Sequence, residues 1–411
     1  MADQSSASSE WRKGWSLVVA SAAGMSLVPL VPYHMGLFIV PLENEFGWDR
    51  ALITSGLAVN AVVAVLLSAA CGWLIDRLGP RRIAIPGVIL FCALFASLAS
   101  VSGSALHWWL LWLGLSVSAL MVKPTVWAKA IASRFDRSRG LALAVMLSGS
   151  GLTGIFAPLI AGFLIGAYGW RVAYVGLAAV YFAVTMPLVV AFFYSSSDQD
   201  RQRPAGAVAE PPVMPTGSAV NDAFRSPTFW KLALAVLLAT TVVTGTVVHF
   251  VPLAIQLGIA PAKAGILASV IGIAALSGRM VTGVLLDRIN AKYIGGVAFA
   301  LPAIAFGALL ASGGTFPALV AVAILVGLAS GAEFEIATYL ISRFFGLRNF
   351  GTLFGFITGF AALATGLGAP LAGLAFDRLG SYELSVGTAV ALSFLSSLLI
   401  LSLPRNARQE A

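Results

Sequence analysis

Polar positions along this chain are few and clustered, and the stretches between the clusters are apolar for about 20 residues or more. A helix of about 20 apolar residues crosses the hydrocarbon of a bilayer. Twelve stretches reach that length: residues 15–40, 51–75, 83–103, 106–129, 139–166, 169–194, 228–255, 263–285, 292–311, 316–340, 350–376 and 383–403. They are numbered here as spans 1 to 12. Only residues 195–227 form a long polar segment, rich in Ser, Pro, Asp and Arg, which reads as a flexible linker. It separates an N-terminal bundle, 1–194, from a C-terminal bundle, 228–411, each with six spans.

The two halves share landmarks. Gly72, Asp76 and Arg77 end span 2, and Gly283, Asp287 and Arg288 end span 8, the aspartates lying 211 positions apart. Pro41-Leu42 with Gly47 returns 211 positions later as Pro252-Leu253 with Gly258. Ser133-Arg134-Phe135 returns as Ser342-Arg343-Phe344, and Ala157-Pro158-Leu159 as Ala369-Pro370-Leu371, at offsets of 209 and 212. Matches at nearly one offset imply two copies of one helical unit. The expected fold is therefore an all-α membrane protein of twelve transmembrane helices in two pseudo-symmetric six-helix bundles.

Composition sharpens this picture. Hydrophobic residues make up 59% of the chain and charged ones 10%, against roughly 25% charged in a soluble domain. The polar, acidic first ten residues do not look like a cleavable secretory signal. With both termini placed in the cytoplasm, nineteen of the 25 Lys and Arg residues fall on the cytoplasmic side and four outside, which fixes that orientation. The net charge of +8 is thus a topology signal and an attraction to anionic lipid, and gives no reason to expect nucleic acid. Cys71 and Cys92 offer neither a disulfide framework nor metal spacing. No phosphate-cradling G-x-x-x-x-G-K-[ST] loop is present, so the driving force is expected to be a gradient. No cofactor, metal or catalytic residue is expected.

The loop Gly72-x-x-x-Asp76-Arg77-x-Gly79-x-Arg81-Arg82 resembles the signature of the major facilitator superfamily. In it Gly72 is expected to let two helices approach, Asp76 to accept bonds from a helix N-terminus, and Gly79 to make a tight turn. Phe38-x-x-Pro41-Leu42-x-x-Glu45-Phe46-Gly47-Trp48, Arg139-Gly140-Leu141-Ala142, Gly169-Trp170-Arg171 and Gly278-Arg279-x-x-x-Gly283-x-x-x-Asp287 are similar to the branch holding bacterial monocarboxylate porters and oxalate–formate antiporters. That resemblance implies alternating access to a midplane cavity and a carboxylate cargo, often moved with a proton. Small-residue stripes, Ser150-Gly154-Pro158-Gly162-Gly166 in span 5 and Gly355-Gly359-Ala362-Gly366-Pro370 in span 11, suit close-packed or sliding helices.

Ionisable groups inside spans are the candidate chemistry, because they are costly there. Arg279 lies eight residues before Asp287, about 12 Å into the membrane. Its repeat counterpart is Ser68, so it belongs to the difference between the halves, as binding one asymmetric solute requires. Its planar fork matches a carboxylate, and the resemblance gives arginine the same role here. The alternative is a buried partner for Glu333 or another acid of span 10. Lys123, before Pro124 in span 4, is either a second cation for the cargo or a residue snorkelling to the surface. His34 and Tyr33 beside it in span 1 are further candidate cargo contacts, and His34 and Glu333 are the candidates for the proton, His34 ranked first; packing and ion pairing are their bland alternatives. Glu333 and Glu335 lie about 200° apart around the helix, and Glu333, being deeper, is expected to face the cavity. His249 is expected at the interface, and Asn60, Thr240, Thr241, Thr244 and Thr246 either line a polar path or bond their own helices.

Departures from the family limit what carries over. Span 11 has no lysine or arginine within 350–376, unlike the oxalate antiporters. Position 275, where the animal carriers have an aspartate, is alanine, and span 1 lacks their lysine. The reading is a monomeric bacterial inner-membrane secondary transporter, not an enzyme, that carries a small monocarboxylate by proton symport. The rivals are an anion exchanger or exporter on the same scaffold, and a transport-dead solute receptor, against which the eight residues after 403 speak. Nothing resembles a channel filter.

Overall fold

The computed structural model describes residues 7–135, 138–194, 218–286, 288–346 and 349–404. Twelve helical segments in it are long and apolar enough to cross a bilayer, one for each expected stretch. The second half of the chain is the more regular. Its spans are single helices: Pro227–Gln256, Pro261–Leu286, Ala291–Ala311, Phe316–Phe345, Phe350–Leu379 and Glu383–Leu401. Proline opens several of them, where a missing N–H costs nothing. In the first half, spans 2, 3, 5 and 6 are the helices Arg50–Leu78, Pro80–Ser97, Arg139–Tyr168 and Trp170–Phe192.

Spans 1 and 4 are broken. Span 1 is made of Ala7–Met25 and Leu30–Phe46, joined by a turn at 26–29. Span 4 is made of Ala105–Leu120 and Pro124–Ala132, and Lys123, extended ahead of Pro124, stands just before the second piece. Backbone groups freed within a bilayer must find partners. Here the Thr153 hydroxyl of span 5 donates to the Ser26 carbonyl at 2.5 Å, and Thr185 of span 6 donates to Ala23 at 3.2 Å. At the other break the Trp127 indole donates to the Val122 carbonyl at 2.7 Å.

Lipid tails are as apolar as leucine, so helices associate here through close packing. Trp108, Trp112 and Trp127 are wholly buried, while Leu66, Phe163, Met280 and Val297 turn 63–70% of their surface outward, as a lipid-facing shell requires. Basic side chains close the helix ends on the face that carries most of the positive charge. Arg81 donates to the Val189, Val190 and Phe193 carbonyls at the end of span 6, and Lys129 donates to Ile75 in span 2. Gly79 turns the chain between spans 2 and 3 at φ +90°. Gly72 and Gly283 differ from expectation: a Cβ on either would meet nothing within 4 Å. They mark no close approach, because their open sides face away from neighbouring helices.

Contacts gather into two compact units, each taken over its described residues. One comprises Met1–His34 and Val62–Ala209, the other Met35–Ala61 and Glu210–Ala411. The second unit thus takes in the end of span 1 and the start of span 2. Most of the expected linker, 195–217, lies outside the described residues. Its last part forms a short helix, Val220–Arg225, leading into span 7.

Candidate functional site

Span 8 and span 10 cross through glycine. A Cβ on Gly327 would lie 2.5 Å from the Ile271 carbonyl, and one on Gly331 would lie 2.8 Å from the Arg279 amide nitrogen and collide with the Ala275 carbonyl. Contacts advance together along both helices, 271 with 327 and 275 with 331, so the two run parallel. One turn further on, that register brings position 279 beside position 335. Arg279 Nε lies 3.2 Å from Glu335 Oε1. The side chains keep 20% and 31% of their surface, so the pair is open on one side.

Glu333, the expected cavity-facing acid, is instead turned inward. It is 2% exposed and accepts a hydrogen bond from the Thr240 hydroxyl of span 7. Depth along a helix does not give azimuth, and the two-residue step put Glu335 on the open side. The stripe Gly327-Gly331-Glu335, spaced at four residues on one face, is the signal that identifies it.

His34 is wholly buried. Its Nδ1 lies 2.7 Å from the Leu30 carbonyl, and its ring packs edge-on against Phe95 and Tyr174, centroids 4.7 and 5.5 Å away. Its neighbour Tyr33 is half-buried. Lys123 Nζ donates to Ser68 Oγ at 2.7 Å. That serine is the repeat counterpart of Arg279, so the matching place in the first half also holds a cation. Of the span 7 threonines, Thr241 and Thr246 bond their own helix and Thr244 lies 3.5 Å from Thr365.

Sequence reasoning missed a cluster at the opposite end of the second unit. Asp377, ending span 11, accepts the backbone N–H groups of Arg50 and Ala51 at 3.0 and 2.8 Å, capping the first turn of span 2. The Arg50 guanidinium pairs with Glu43 at 3.0 Å, lies 3.6 Å over the Phe376 ring, and donates to the Tyr382 hydroxyl at 2.7 Å. Burial pushes the Tyr382 phenol above its ordinary pKa, and Arg50 partly offsets this, so it stays protonated. The phenol reaches His249 Nδ1 at 2.8 Å, and His249 Nε2 reaches the Ala369 carbonyl at 2.8 Å. One tautomer satisfies both bonds, with the proton on Nε2. His249 is thus buried, 3% exposed, rather than interfacial, because these two partners draw the ring inward. Pairs this far apart in sequence leave no local pattern to read. His249 and Tyr382 also border an apolar cavity of about 320 Å³ with Thr246 and Leu371; Arg279 does not line it.

Around the repeated loop motif, Arg77 stacks 5.3 Å over Trp73, and Arg288 is exposed. Asp287 lies outside the described residues, as does the side chain of Asp76. No three or more His, Cys, Asp or Glu gather to hold a metal among the described residues.

Twelve apolar spans, with a partly open arginine–glutamate pair inside one bundle of them, define a multi-pass membrane protein. The chain belongs to the Major Facilitator Superfamily, which it matches over residues 15–315 and 253–411. Among its relatives, monocarboxylate transporter 13 of Bos taurus is 28% identical over 403 residues, 95% of this chain and 89% of that protein. Monocarboxylate transporter 11 of Homo sapiens is 26% identical over 423 residues, 95% and 83% of the two chains. The crystal structure of a D-xylose-proton symporter superposes with a TM-score of 0.72 at 13% identity, over 96% of this chain and 98% of that one, a likeness of fold. The relatives named are transporters, not enzymes, and the sequence likeness is to the monocarboxylate branch.

Proposed function

We propose that this protein carries a small organic monocarboxylate across the membrane together with a proton, by alternating access. Arg279 carries the reading. It is a permanently charged, planar donor inside a span, half-open, and placed where the repeat has serine. A monocarboxylate offers the acceptor geometry that Glu335 presents to it now. Lys123, on Ser68, is the second cation in this reading. The halves 1–194 and 228–411 serve as the two bundles. The protein works as a monomer in a bacterial inner membrane, with the basic face and both termini in the cytoplasm.

The test is uptake of radiolabelled lactate and benzoate into proteoliposomes, with and without an imposed pH gradient. Concentrative uptake that follows the pH gradient supports symport. Exchange alone, indifferent to that gradient, points to the exchanger. No movement of any carboxylate in a panel removes the cargo class.

A further inference from the structure

The pair that fills the site also counts its charge. We infer that Glu335 is the proton-carrying partner of Arg279: it holds the arginine while the site is empty, and it takes one proton when the carboxylate of the cargo replaces it. This rests on the carboxylate reading above.

Arg279 and Glu335 together are neutral. A monocarboxylate bound to Arg279 would bring the site to one net negative charge inside the membrane, where uncompensated charge is costly. One proton on Glu335 restores neutrality, and the protonated carboxyl no longer competes for the guanidinium. Cargo and proton therefore arrive together, one of each, and the loaded and empty carriers bear the same charge. The proton comes from the water on the loading side and is returned on the other side when Glu335 regains Arg279.

Three observations choose this residue over the others. Glu335 lies within charge-pair distance of Arg279, and its 31% exposed side chain leaves a path for water and cargo. Glu333 is nearly sealed and held by Thr240, and His34 is sealed among Phe95 and Tyr174. Position 275, one turn before the arginine, is alanine, and position 335 approaches Arg279 from the facing helix instead.

The helices packed on span 10 are spans 7, 8, 9 and 11. Besides Arg279 their titratable groups in the described residues are Lys231, His249, Lys263, Lys292, Tyr293, Asp377 and Arg378. Lys231 and Lys292 bond the Ser402 and Leu403 carbonyls, Lys263 opens span 8, Tyr293 opens span 9, and His249 and Asp377 belong to the cluster around Arg50, with Arg378 beside them in sequence. On span 10 itself Tyr339 and Arg343 follow at one and two turns, the guanidinium 5.1 Å from the ring. Among these groups the one paired with Glu335 is Arg279, at 3.2 Å.

The experiment compares the wild type with Glu335→Gln and Glu333→Gln in proteoliposomes, using radiolabelled lactate and benzoate. Glu335→Gln should keep exchange of cargo across the membrane and lose concentrative uptake driven by a pH gradient. Its empty form carries one extra positive charge, so its net uptake should respond to membrane potential, which wild-type uptake should not. Glu333→Gln should keep concentrative uptake. A Glu335→Gln protein that still concentrates cargo on a pH gradient alone overturns the assignment. So does one that reaches the membrane yet loses exchange as well, since Glu335 would then only support Arg279. If Glu335→Gln fails to insert, Glu335→Asp carries the test: uptake should persist with a shifted pH profile, and an unshifted profile overturns the inference. A wild type that exchanges no carboxylate defeats the cargo reading and this inference with it, whereas a wild type that moves carboxylate beside a Glu335→Gln protein that stays pH-coupled defeats this inference alone.

Discussion

Arg279 concentrates two demands on one side chain, permanent charge and fixed shape. Arg279→Lys keeps the first and loses the second. Carboxylate uptake should therefore fall strongly in the lysine variant and vanish in Arg279→Ala, with both proteins confirmed in the membrane. Truncating one partner of a buried charge-assisted contact costs about 2–5 kcal/mol, which sets the scale of the loss in apparent affinity. His34→Gln separates packing from proton transfer. With its ring enclosed by Phe95 and Tyr174, the variant should melt at lower temperature but still concentrate cargo on a pH gradient. Arg279 was legible in the sequence because a lone cation in an apolar run stands out, and because its repeat counterpart is uncharged. Glu335 was not, since choosing between acids two residues apart needs the rotation of span 10, which its contact with span 8 sets.

The twelve spans follow from hydropathy, but their ends do not, since span 1 begins at Ala7 and span 10 runs on to Phe345, and the breaks in spans 1 and 4 were not readable either, because the broken stretches are as apolar as the intact ones. What makes the break in span 1 tenable is polar and comes from elsewhere in the chain, the Thr153 hydroxyl on the Ser26 carbonyl, whereas span 4 is met locally by Trp127 on Val122. Thr153→Val keeps the volume and deletes the donor, leaving the Ser26 carbonyl short of a partner. A loss of about 1–3 kcal/mol is expected for an unsatisfied buried acceptor, read as a lower melting temperature in detergent. The crossing of spans 8 and 10 is sensitive in another way. Gly331→Val must push the helices apart at Ala275 and Arg279. Overpacking of this kind costs about 1–3 kcal/mol, and here it should also weaken carboxylate uptake by widening the Arg279–Glu335 pair.

Across the whole chain the repeat gives the framework, and its violations give the chemistry. Ser68 with Lys123 stands where the other half has Arg279 with Glu335, and broken spans 1 and 4 stand where spans 7 and 10 are continuous. The shared framework could be read from recurring motifs, but the cluster around Arg50 could not, since Arg50 lies 327 and 332 positions from Asp377 and Tyr382. A reporter fused after residue 411 should be active only when it folds in the cytoplasm, and activity of a periplasmic reporter there would reverse the assigned orientation. The Asp377 cap on span 2 has a consequence in time. Two backbone bonds to one carboxylate hold the first turn of span 2 in place, and bonds to charged groups contribute about 1.5–3 kcal/mol each. Each 1.4 kcal/mol is about tenfold in rate, so the cap makes the unwinding of that turn a rare event. Asp377→Asn should make it more frequent, seen as faster hydrogen exchange at the Arg50 and Ala51 amides, because a neutral amide oxygen grips those N–H groups less firmly.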